Sequence, residues 1–121
     1  MPLTDEQEKI RQAAVEFAKA NKKVIARRLT DPSLFVAEAN PVSVFMAGSP
    51  GAGKTEASIE LLAKLASNGA EILRIDPDEL RSEFAGYSGD NSFLFQGAVS
   101  ILVEKIHDLA LDQKQSFLLD G

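Results

Sequence analysis

The strongest chemical signal in this 121-residue chain is the octapeptide Gly48-Ser49-Pro50-Gly51-Ala52-Gly53-Lys54-Thr55. It fits the pattern G-x-x-x-x-G-K-[ST], follows the apolar run Val42-Ser43-Val44-Phe45 and opens into a helical pattern. That is the strand–loop–helix setting a phosphate-binding loop requires. Glycines let the backbone bend and approach an anion with no Cβ in the way, and the N–H groups of the loop and the following helix end then face the phosphates. On this reading Gly48, Ser49, Pro50, Gly51, Ala52, Gly53, Lys54 and Thr55 cradle the phosphates of a nucleoside triphosphate, ATP in the simplest case. Lys54 reaches the β- and γ-phosphates, and Thr55 gives its hydroxyl to magnesium.

Acidic residues follow two further apolar runs. After Ile72-Leu73-Arg74-Ile75 come Asp76-Pro77-Asp78, and after Ser116-Phe117-Leu118-Leu119 comes Asp120. A phosphoryl acceptor needs a base on the side of the γ-phosphate opposite the leaving group. One acid of the Asp76/Asp78 pair suits that role, the other a structural or magnesium-water role. Asp120 reads as a Walker B carboxylate for magnesium. Glu104, flanked by Lys105 and near Asp108, reads by itself as part of a solvated helix face. His107, the single histidine, lies among polar helix positions and reads as surface. Phe84, Tyr87, Phe93 and Phe95 read as core and loop packing rather than a platform for stacking bases.

These residues need elements to hold them. Thr4-Asp5-Glu6-Gln7 is a capping box that starts a helix over 5–28, with Ile10, Ala13, Ala14, Phe17, Val24 and Ile25 near helical spacing. Its basic end (Lys22, Lys23, Arg27, Arg28) suits the negative pole of the helix dipole. Asp31-Pro32 and Asn40-Pro41 bracket a connector. The pattern then predicts a strand over 42–47, a helix over 54–67 closed by Asn68-Gly69, and a strand over 72–75. A short helix follows, with Asp76 as N-cap, Pro77 at the first position and Glu79 at the box position. A loop at 86–91, a long helix over 92–112 and a strand over 116–119 complete the chain. Alternating strands and helices predict an α/β fold with a parallel, three-layer sheet of the P-loop NTPase type, three strands strong, behind an N-terminal helix. Residues 1–39 form the helix and connector, and residues 40–121 the core. In such sheets ligands bind beyond the carboxyl ends of the strands, where Gly48, Asp76, Asp78 and Asp120 all fall.

Composition narrows the partners. The formal net charge is −5. Residues 1–39 carry seven Lys/Arg against six Asp/Glu, while residues 40–121 carry six against twelve. An acidic body with one lysine in its phosphate loop argues against nucleic acid as the main partner. The chain has no cysteine, so disulfides and thiolate metal sites are excluded. The N-terminus lacks the apolar stretch of a secretory signal, and no apolar run approaches the roughly 20 residues of a membrane span. The expected location is the cytoplasm, without membrane contact.

The order of phosphate loop, I-D-x-D-x-x-[RK] block and strand ending in acid-Gly resembles the zeta toxin family, over residues 41–121. These are ATP-dependent kinases of toxin–antitoxin systems that phosphorylate UDP-N-acetylglucosamine. The resemblance includes Pro50 in the loop and Ile75-Asp76-Pro77-Asp78-Glu79-Leu80-Arg81 as the second block. It implies Asp78 as the base for the sugar hydroxyl, with Asp76 and Arg81 beside it at the substrate. It also places the sugar-binding glutamate on Glu104 and the closing acid-Gly on Asp120-Gly121. An antitoxin partner follows from the same likeness, with self-docking of the N-terminal helix as a further option. The family continues with two more strands and a lid whose arginines contact the transferring phosphate. Here no arginine follows Arg81. The chain therefore reads as the first half of such a kinase: nucleotide-binding, weak in turnover by itself, and prone to self-association through an unpaired sheet edge. Another P-loop kinase, acting on an antibiotic or a polynucleotide, and a non-catalytic nucleotide-binding fragment remain the alternatives.

If the loop grips a triphosphate, Lys54→Ala abolishes MgATP binding in a calorimetric titration; unchanged affinity would remove the assignment.

Overall fold

The computed structural model describes residues 2–46, 60 and 72–120. Helix α1 spans Asp5–Leu29, and its capping box forms as expected. The Gln7 amide N–H donates to Thr4 Oγ1 at 3.1 Å, and the Thr4 N–H donates to Gln7 Oε1 at 2.9 Å. Strand β1 spans Ser43–Met46 and β2 spans Leu73–Ile75. The short helix α2, Pro77–Leu80, runs into a 3₁₀ turn at Arg81–Glu83. A second 3₁₀ turn, Ser92–Leu94, precedes helix α3, Gln96–Asp112, and strand β3 spans Phe117–Asp120. The predicted helix over 54–67 and its Asn68-Gly69 close lie outside the described residues.

The sheet is parallel, with β3 between β1 and β2. The last strand in the chain is thus the middle one in space. Its residues Phe117 and Leu118 are fully buried, as a strand paired on both edges and covered on its faces requires.

Helix α3 presents Val99, Leu102 and Ile106 at steps of three and four, and Phe95 anchors its start; all four are buried. Helix α1 packs on α3 through only part of the stripe the periodicity suggested: Ala14 and Ile25 face inward, while Ile10, Phe17 and Val24 do not. The buried positions are Ala14, Ala18, Ile25 and Ala26, while Val24 is 67% exposed. Ala14, Ala18 and Ile25 are spaced four and seven apart and share one face, whereas Val24 lies about 100° round the helix from Ile25. Ala98 and Ala110 of α3 are fully buried in the same cluster as these small α1 side chains. The helix therefore contributes to the same core as the sheet. Phe17, at the edge of that contact, meets Phe84 edge-on at 5.6 Å.

The turn after α3 ends the helix without a glycine. The N–H of Lys114 donates to Leu111 O, the N–H of Gln115 donates to Ala110 O, and Lys114 takes a φ of 55°. This is the paired-bond helix end that glycine usually supplies, so no sequence signal marked it. Its geometry aims Gln115 into the core. The buried Gln115 amide donates to the carbonyls of Thr30 and Phe35, both at 2.8 Å. Gln113 Nε2 donates to Thr30 Oγ1 at 3.1 Å. These bonds clip the end of α1 and the connector to the α3–β3 turn. Ser116 Oγ extends the clip, accepting from the Val42 N–H at 3.0 Å and meeting the Glu38 carboxylate.

Gln115→Ala leaves the partly buried Phe35 carbonyl without its donor and the Thr30 carbonyl with only the longer bond from Gln113 Nε2 at 3.2 Å. It therefore destabilises the fold by about 1–3 kcal/mol. A lowered midpoint in chemical denaturation checks this; an unchanged midpoint would mean that the clip does not tie the connector down.

Candidate functional site

Parallel register levels the carboxyl ends of the strands. Met46 sits opposite Asp120, and Ile75 opposite Leu119. Asp76, one residue past β2, and Asp120, the last residue of β3, therefore stand side by side on neighbouring strands. The end of β1 leads toward the glycine-rich motif. That motif, residues 48–55, with the roles assigned to Lys54 and Thr55, lies outside the described residues.

Asp76 and Asp78 separate into different surroundings. Asp76 is the N-cap of α2, and its side chain accepts from the Asp78 N–H at 2.9 Å. Glu79 does not close the predicted box; its carboxylate turns back toward Arg74 Nη1 at 3.9 Å. The Asp76 carboxylate also faces Arg74 and is only 14% exposed. Asp78 points outward, 76% exposed, and its carboxylate pairs with Arg81 at 3.2 Å.

The residue absent from the sequence reading is Arg74. Its Nη2 donates to Asp120 Oδ2 at 2.5 Å and lies 3.4 Å from Asp76 Oδ2. The hydrogen bond to Asp120 holds the guanidinium above its ordinary pKa, against the opposing effect of burial, and the charges of Asp76, Asp120 and Glu79 add to it. One cation thus serves three acids at the strand ends. A basic residue inside an apolar strand was the only available signal. The alternation places Arg74 on the opposite face from Leu73 and Ile75, which are buried.

A pocket of about 590 Å³ opens on the α3 side of the sheet. Among the described residues it is walled by Pro77 and Arg81, by Phe45 and Leu119 of the sheet, and by Gln96, Val99, Ser100, Val103, Glu104 and His107 of α3. Two of the predicted substrate residues, Arg81 and Glu104, therefore share one cavity, with Asp78 tied to its rim through Arg81.

His107 is not the surface residue its neighbours suggested. Its ring lies edge-on to Phe117 at 5.2 Å and tilted against Phe45 at 6.0 Å. The spacing of Val99, Val103 and His107, four residues each, was the signal. Of the four aromatic residues read as packing, Phe84 and Phe95 are buried, and Tyr87 meets Phe95 edge-on at 5.9 Å. Phe93 instead stands half exposed.

For a divalent cation the available donors are hard oxygens: the Asp120 carboxylate and, in sequence, the Thr55 hydroxyl. Among the described residues no cluster of three or more acidic, histidine or cysteine side chains could hold a metal. That donor set fits magnesium, which takes one or two carboxylates and completes its shell with phosphates and water rather than a protein cage. No described helix is long and apolar enough to cross a membrane.

Fold and strand-end acids together define an α/β protein of the P-loop kinase-like type. The zeta toxin family model matches residues 25–121, and the chain belongs to the zeta toxin family. The match begins upstream of the motifs that suggested it, inside α1. None of the curated proteins matches the chain. Among solved structures, a chain from the PezAT chromosomal toxin–antitoxin system of the human pathogen Streptococcus pneumoniae shares the fold. The TM-score is 0.65 at 20% identity, over 98% of this chain and 46% of that one. The present chain thus spans less than half the length of that neighbour, and the likeness includes α1.

Proposed function

We propose that the chain is the nucleotide-binding part of a small-molecule kinase that transfers the γ-phosphate of ATP to a hydroxyl of a UDP-amino sugar, UDP-N-acetylglucosamine being the first candidate. The observation that carries this reading is the division of labour at the end of β2. Asp76 is engaged as a helix cap and faces Arg74, while Asp78 stands exposed and paired with Arg81, which lines one pocket together with Glu104.

In this reading residues 48–55 hold the triphosphate, with Lys54 at its β- and γ-phosphates. Thr55 and Asp120 hold magnesium, which supplies charge neutralisation at the transferring group. Asp78 accepts the proton of the acceptor hydroxyl as its oxygen bonds to the γ-phosphorus and the bond to the ADP oxygen breaks. Asp78 pairs with Arg81 at 3.2 Å, and Arg81 lies within reach of the acceptor's phosphates. Glu104 accepts hydrogen bonds from sugar hydroxyls. Membership of a toxin family, and a neighbour drawn from a toxin–antitoxin system, support an antitoxin as protein partner. Use of ATP and a nucleotide sugar, as proposed, supports a cytoplasmic location.

One observation favours a second reading, a nucleotide-binding protein without turnover. Among the described residues, the arginine that lines the pocket, Arg81, is already paired with Asp78. A supplied arginine is worth about 10³–10⁵ in rate for phosphoryl transfer.

Incubation with ATP, magnesium and UDP-N-acetylglucosamine is expected to give a 3′-phosphorylated sugar nucleotide. Asp78→Asn leaves ATP affinity nearly intact and cuts transfer about 10²–10⁴-fold, the usual worth of a general base. Glu104→Gln raises the KM for the sugar and not for ATP. Transfer to a chloramphenicol-like or polynucleotide acceptor would overturn the acceptor assignment, and ATP binding with no transfer at all would favour the second reading.

A further inference from the structure

Arg74 belongs to no motif, yet it is the one described cation placed among the acids at the strand ends. Its Nη2 alone serves the carboxylate that ends β3, Asp120 at 2.5 Å, and the one just past β2, Asp76 at 3.4 Å, while Nη1 faces Glu79 at 3.9 Å. The two nearer acids are poorly solvated, with side chains 6% and 14% exposed, and Arg74 itself is 29% exposed. Carboxylates taken out of water on adjacent strands repel each other unless a cation stands between them. A guanidinium can do this with fixed direction because its donors are planar and rigid, which a lysine ammonium cannot match. The neighbouring acid is held a second way as well: Asp76 is bonded to the start of α2 through the Asp78 N–H. Arg74 therefore ties the end of β3 to the start of α2, the element that carries Asp78.

We propose that Arg74 is a positioning residue: it fixes the Asp120 carboxylate in the direction from which a nucleotide-bound divalent cation is held, and it couples that carboxylate to Asp76. This rests on the reading of Asp120 as a magnesium ligand. Arg74 touches neither nucleotide nor acceptor; it acts through the two acids. Partners that orient a metal-binding carboxylate typically contribute 10–100-fold to metal affinity. Removing a positive charge acts in the opposite sense, since it lessens repulsion of the cation, so the direction of the effect separates the two roles.

The test has two arms on the same folded protein. In the first, ATP binding is titrated against magnesium. Arg74→Met is expected to raise the magnesium concentration at half-saturation about 10–100-fold, with affinity for metal-free ATP unchanged; Arg74→Lys recovers only part of the loss. An unchanged or lowered magnesium requirement would overturn the proposal, because Arg74 would then be a structural ion pair or a competitor for the cation. The second arm needs no nucleotide. Thermal unfolding of Arg74→Met, Asp120→Asn and the double variant should show strongly non-additive losses. Additive losses would mean the two side chains are not coupled, and the proposal fails. The double variant is charge-balanced and keeps the comparison available if Arg74→Met alone folds poorly. Non-additive unfolding in a chain that binds no MgATP would retain the coupling, overturn the magnesium role of Arg74 and remove the nucleotide reading itself.

Discussion

The arrangement depends on parallel pairing of β3 between β1 and β2. Only that insertion levels Met46 with Asp120 and brings the acid after β2 beside the acid ending β3. A register slip of one residue would exchange the faces of β3. Leu119, level with Ile75, would then meet Arg74, and Asp120 would turn toward α3. The buried pair Phe117 and Leu118 resists such a slip, since each is packed on its own side of the sheet. Phe117 meets His107 of α3, while Asp120 meets Arg74 on the opposite face.

That pairing creates an electrostatic problem as well as a site. It collects Asp76, Glu79 and Asp120 around one guanidinium. Low exposure makes an uncompensated carboxylate expensive, so the strand ends are organised around Arg74 before any ligand arrives. Asp78 escapes the cluster because α2 turns it outward, where it pairs with Arg81. Two acids two residues apart thus serve different ends, one bound into the fold and one presented to solvent. The difference arises from the helix cap at Asp76 rather than from the chemistry of the side chains.

Away from the site, the same core reaches α1. Alanines at 14, 18 and 26 allow close approach to α3, and the Thr30–Gln113–Gln115 bonds fasten the following connector to the turn before β3. The central strand is therefore held at its start by polar clips and along its length by apolar packing. The match of the structural neighbour through nearly all of this chain agrees with α1 being part of the folded unit rather than an appendage.

Local interactions made much of this legible in the sequence. The capping box of α1, the cap and proline that start α2, and the apolar period of α3 each depend on residues within a few positions of one another. So does the order of strands and helices that names the fold class, and the loop motif with its flanking acids pointed to the family. Contacts between residues distant in sequence were not legible. Strand order, the inward face of α1, the ring contact of His107 with Phe117, and the meeting of Arg74 with Asp120 across 46 positions are such contacts. They are decided by which surfaces exclude water together and which charges compensate one another, and no local period or propensity encodes either.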